Sequence, residues 1–129
     1  MSLRIGLIGL GYVGQKTHLP AFEKIDPEKG CLAAVCDMNA ELAKETAQGI
    51  DAEAYTDTNE MLDKANLDGV IVGIPPHVHG DLEDRLIERG MPFFMEKPAH
   101  RDIGRAAEIA ERVKETGLIA GVGYCDRYQ

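Results

Sequence analysis

Six short apolar runs alternate with stretches of helical spacing along the whole chain, and that alternation admits few architectures. The runs lie at 3–8, 32–36, 52–55, 69–74, 92–95 and 118–122; helical patterns occupy 11–24, 40–48, 58–65, 79–89 and 101–116. No two runs are close enough for a tight hairpin, so each strand must reach the next by a crossover. Right-handed β-α-β crossovers produce a parallel sheet with helices on both faces. The expectation is an α/β, doubly wound parallel sheet of about six strands. No internal repeat or linker interrupts residues 1–129, so they form one domain in this reading.

Composition narrows the function. With 44% apolar residues, a net charge of −8 does not imply disorder. The 22 carboxylates outnumber the 14 basic side chains, which do not cluster, so nucleic acid is excluded as a partner. The longest uncharged stretch, 69–80, holds two prolines and falls far short of the ~20 apolar residues of a spanning helix. Residues 5–10 are too short an apolar run for a secretory segment. Cys31, Cys36 and Cys125 match no zinc spacing and read as small hydrophobes in a reducing cytoplasm.

The first run ends in Gly9-Leu10-Gly11-Tyr12-Val13-Gly14, a G-x-G-x-x-G sequence that opens a helical pattern. Strand, glycine loop and helix in that order form a dinucleotide cradle. Gly9 permits the tight turn, Gly11 lets a pyrophosphate approach the backbone, and Gly14 lets the helix pack closely on the sheet. Asp37 follows the second run, 23 residues after Gly14, where a carboxylate accepts from ribose hydroxyls and repels a 2′-phosphate. Met38 and Asn39 bring no compensating cation, so NAD is favoured over NADP.

Three further segments follow the carboxyl ends of strands, where an open α/β sheet places its ligand. They are Ile74-Pro75-Pro76-His77-Val78-His79, Glu96-Lys97-Pro98, and Gly123-Tyr124-Cys125-Asp126-Arg127-Tyr128. His77 and His79, with only Asp81 nearby, are too few for a metal site. His18 and His100 read as surface or capping residues, and the charges of 101–116 as a solvated face opposite Ile103, Ala106, Ala107, Ile109, Ala110 and Val113.

Taken with the glycine loop, His18-Leu19-Pro20-Ala21 and Ala34-Val35-Cys36-Asp37, these segments resemble the N-terminal nucleotide-binding (Rossmann) domain of the Gfo/Idh/MocA oxidoreductases. The resemblance runs over essentially the whole chain. It implies hydride transfer between a nicotinamide cofactor and a sugar, cyclitol or related hydroxyl carbon. Lys97 is then the catalytic residue, acting at the reacting oxygen. Gly9, Leu10, Gly11, Tyr12, Val13, Gly14, Asp37, Ile74, Pro75, Pro76, His79, Glu96, Lys97 and Arg127 are the expected cofactor contacts, with Glu96 at the nicotinamide ribose. Pro98 fixes the loop, and no metal is implied.

Family members continue into a substrate domain that also carries their oligomer interface. The expectation is therefore a truncated, split or degenerate oxidoreductase that binds cofactor and alone turns over little. The resemblance leaves room for a sugar-like substrate and a homo-oligomer in the longer form. A stand-alone NAD-binding or redox-sensing module without catalysis remains the alternative.

Overall fold

Residues that alternate between apolar runs and amphipathic stretches build a six-stranded parallel sheet with helices between the strands. The computed structural model describes all 129 residues, in two compact units, 1–73 and 74–129.

In the first unit, β1 (Leu3–Ile8), β2 (Gly30–Cys36), β3 (Glu53–Tyr55) and β4 (Gly69–Val72) lie in the order β3-β2-β1-β4. The chain winds outward from β1 to β2 and β3, then crosses back to place β4 on the other side of β1. β1 and β4 therefore flank a topological switch point, the place where an open sheet parts at its carboxyl end to admit a ligand. Leu7, Leu10, Leu32, Val35, Ala43 and Ala47 form a buried cluster beneath it.

The helical pattern at 11–24 is not one regular α-helix. After a first turn at 12–13 the chain is π-helical over Gly14–His18 and becomes α-helical over α1 (Leu19–Phe22). The Leu19 N–H bonds back to the Gly14 carbonyl, five residues earlier. Pro20 accounts for the wider turn: it has no N–H to give the Lys16 carbonyl, and its ring would crowd that oxygen in a regular helix. His18, expected at the surface, is buried on this segment at 8% exposure.

α2 (Ala40–Ile50) starts where the sequence places it, with the Asn39 side chain accepting from the Leu42 N–H at 3.1 Å. Such a cap is worth about 1 kcal/mol. Gly49 does not end it. The helix runs to Ile50 and closes on Asp51 in the left-handed region, φ 55°. An L residue there is strained by its Cβ. Asp51→Gly should therefore raise stability by about 0.5–1 kcal/mol, the relieved strain less glycine's extra freedom when unfolded. A higher urea midpoint at unchanged slope is the expected reading. α3 (Thr58–Lys64) is capped by Asp57, whose carboxylate accepts from the Glu60 N–H at 2.8 Å.

In the second unit, β5 (Phe93–Met95) and β6 (Ala120–Val122) pair in parallel, connected through α5 (Ile103–Thr116), with α4 (Asp81–Glu88) preceding β5. Of the apolar stripe expected on α5, only Ile109 is buried; Ile103, Ala107 and Ala110 are exposed. Arg105 and Arg112, read as solvated charges, both pair with Asp84 of α4. Cys36 packs as a small hydrophobe, whereas Cys31 and Cys125 are exposed; all three are free thiols. No helix is long and apolar enough to cross a membrane.

Candidate functional site

The glycine loop sits at the end of β1, beside the switch point. Gly9 has φ 92°, a backbone conformation that a side chain would strain, and its N–H donates to the Cys36 carbonyl at 2.8 Å. Gly14 is the point of closest approach: a Cβ there would stand 2.6 Å from the Gly9 carbonyl oxygen. At Gly11 a Cβ would meet nothing within 4 Å. That open space lies against the backbone at the opening of a helix, whose first N–H groups have no partner within the helix. Gly11, Tyr12 and Val13 are exposed there. The cradle fits a pyrophosphate, which those amides and the helix dipole would hold.

The peptide units around Leu10 are fixed by two side chains. The Leu10 N–H donates to Asp37 Oδ2 at 2.8 Å, and the Gln15 side-chain amide donates to the Leu10 carbonyl oxygen at 2.8 Å. Asp37 Oδ1 accepts from the Asn39 N–H, also at 2.8 Å. Gln15 was not visible as a site residue from sequence; its place on the first turn after a glycine loop is the only signal. The Cys36 thiol, one residue before Asp37, is buried beside Thr58. Burial pushes it above the usual thiol range, with the Thr58 hydrogen bond acting the other way.

In the second unit, the turn after Ile74 runs through Pro75 and Pro76 and is closed by the Val78 N–H on the Pro75 carbonyl at 2.9 Å. His79 precedes α4 rather than opening it; Gly80, at φ 118°, is the N-cap. The His79 ring is buried, with Nδ1 2.6 Å from Glu83 Oε1, and Glu83 Oε2 accepts from the Gly80 N–H at 2.5 Å. Burial pushes Glu83 toward protonation, but the bonds from His79 and Gly80 prevail and hold it below the usual carboxylate range. Sequence reasoning passed over Glu83, although its i,i+4 spacing from His79 was the available clue.

Glu96 is half-buried after β5, Lys97 is exposed, and the Lys97–Pro98 peptide is cis. Gly123 lies against this segment, since a Cβ there would come within 3.3 Å of Glu96 Oε2. The Tyr124 hydroxyl accepts from the Ala99 N–H at 3.3 Å. Glu96-Lys97-Pro98 and Gly123-Tyr124 are thus brought together, while Arg127 is exposed in the 3-10 turn Cys125–Tyr128. No three His, Cys, Asp or Glu side chains are grouped to hold a metal ion.

Residues 3–124 match the family model described as an oxidoreductase family with an NAD-binding Rossmann fold, Gfo/Idh/MocA. A scyllo-inositol 2-dehydrogenase (NAD+) of Bacillus subtilis is 30% identical over 128 residues, covering 98% of this chain and 37% of the relative. The rhizopine catabolism protein MocA of Rhizobium meliloti is 31% identical over 128 residues, covering 97% and 38%. The crystal structure of myo-inositol 2-dehydrogenase from Lactobacillus plantarum superposes with a TM-score of 0.88 at 26% identity, covering all of this chain and 38% of that one. The chain spans less than two fifths of the length of each. By its glycine loop, its strand order and this match, the chain belongs to the Gfo/Idh/MocA oxidoreductase family and is an NAD-binding Rossmann-fold domain of it.

Proposed function

We propose that residues 1–129 are the cofactor domain of an NAD-dependent oxidoreductase acting on a hydroxyl or carbonyl carbon of a sugar, cyclitol or related substrate. The glycine loop at the switch point, with Asp37 at the end of β2, is the observation that supports it most directly. Relatives named as inositol dehydrogenases supply the substrate class. Bound NAD provides a nicotinamide ring that accepts or returns a hydride. Gly9, Leu10, Gly11, Tyr12, Val13 and Gly14 hold the pyrophosphate, and Asp37 the adenosine ribose. Ile74, Pro75, Pro76, His79, Glu96 and Arg127 serve the rest of the cofactor in this reading. Lys97 holds or moves the proton at the reacting oxygen. The groups that grip the substrate belong to a further domain, so these residues alone bind cofactor and turn over little.

Calorimetric titration of the chain with NADH and with NADPH tests the cofactor assignment. Saturable binding that prefers NADH is expected; a preference for NADPH would remove Asp37 as the selectivity determinant. Lys97→Ala, placed in the longer protein that carries a substrate domain, should cut turnover at least about tenfold while NADH still binds. Unchanged turnover would take Lys97 out of the chemistry.

A further inference from the structure

We propose that Asp37 is a positioning residue for the glycine loop in addition to its ribose role, so that cofactor selectivity and pyrophosphate binding are coupled through one carboxylate. The inference rests on the dinucleotide reading above. Asp37 carries the usual selectivity logic of the end of β2, but both of its oxygens are already engaged by backbone of this chain. Oδ2 takes the N–H of Leu10, the second residue of the loop, and Oδ1 takes the N–H of Asn39 ahead of α2. Each carboxylate oxygen has a further lone pair, so ribose hydroxyls can be accepted without releasing either amide.

Leu10 is fully buried, so its N–H has no water to turn to when the carboxylate is removed. Its carbonyl is meanwhile held by the Gln15 side chain. Asp37 and Gln15 therefore grip consecutive peptide units of the loop, one by its donor and one by its acceptor. The Gly9 N–H on the Cys36 carbonyl ties the same loop to β2 one residue earlier. Loosening the Leu10 amide frees the turn that aims the amides of 11–13. The chemical consequence is specific. Neutralising Asp37 to admit a 2′-phosphate removes the repulsion but also slackens the pyrophosphate cradle, so NADPH affinity does not rise to meet the NADH affinity that is lost.

The test compares wild type with Asp37→Ala by two readouts. The first is hydrogen exchange at the Leu10 amide in ligand-free protein. Exchange should accelerate by roughly tenfold or more, the loss expected for a hydrogen bond to a charged acceptor. The second is calorimetric affinity for NADH and for a 2′,3′-dideoxy analogue of its adenosine ribose. The variant should bind the analogue several-fold more weakly than wild type does, although the analogue has no hydroxyls for Asp37 to hold. Equal binding of the analogue by both proteins, or unchanged Leu10 exchange, would overturn the proposal and leave Asp37 a ribose contact only. If wild type bound no dinucleotide, the functional reading would fall, while Leu10 exchange would still decide the positioning role. Should Asp37→Ala not fold, Asp37→Leu serves: it keeps the bulk without an acceptor, so exchange at Leu10 must quicken, and unchanged exchange there overturns the inference.

Discussion

Alanine in place of Glu83 destabilises the chain by roughly 2–5 kcal/mol, the cost of leaving two buried polar groups without their shared partner. The side chains of Glu83 and His79 are both wholly buried; Glu83 is the partner of the ring's Nδ1, while Nε2 has none. Glu83 also caps α4, because Gly80 has no side chain of its own and relies on Glu83 to take its N–H. Alanine would orphan a ring nitrogen and a backbone amide in one step. Glu83→Gln keeps the volume and an acceptor, and should lose less, about 1–3 kcal/mol.

Acid should erase the difference between wild type and Glu83→Gln. Glu83 is held below the usual carboxylate range when folded, so the stability it contributes is complete above the unfolded value of about 4.3 and disappears as the pH drops through the folded value. Urea midpoints of wild type and Glu83→Gln should therefore differ at neutral pH and converge in acid. A constant gap across that range would mean that the charge of Glu83 contributes nothing.

Gly14→Ala is the second large effect. The new methyl would stand 2.6 Å from the Gly9 carbonyl, a backbone atom that moves only with the loop. Overpacking of this kind costs about 1–3 kcal/mol, and here the displaced atoms are those that aim the cradle. Melting temperature and NADH affinity should fall together. Gly11→Ala is the control, because a Cβ there meets nothing within 4 Å of the protein. It should leave the melting temperature unchanged and lower affinity alone, by filling the space proposed for the phosphate. A Gly11 variant that binds NADH as wild type does would move the pyrophosphate elsewhere.

The features legible in the sequence were those set by local chemistry. β1 and β4 announce themselves because strands covered on both faces are apolar at successive positions. The α2 start was readable because Asn39 needs only an amide three residues on. The glycine loop was readable because backbone constraints at Gly9 and Gly14 exclude side chains. What escaped was set by partners distant in sequence or by competing local effects. Asp37 and Leu10 are 27 residues apart, so nothing at either position announces the bond between them. The π-helical stretch reflects Pro20 acting backward on a pattern that otherwise reads as regular helix. The α5 stripe misled because periodicity reports a capacity for burial, and Ile103 has no cover in this chain.

The thiol of Cys36 turns the end of β2 into a chemical clock. Alkylation requires a thiolate, and burial both hides this sulfur and disfavours that form. Its own carbonyl receives the Gly9 N–H, so the strand end that must part to admit a reagent is the one that anchors the loop. The rate at which a maleimide consumes Cys36 thus counts openings of that junction, while the exposed Cys31 and Cys125 react at once and calibrate the reagent. A bound dinucleotide would slow the clock in proportion to its occupancy, giving an affinity with no label added to the protein.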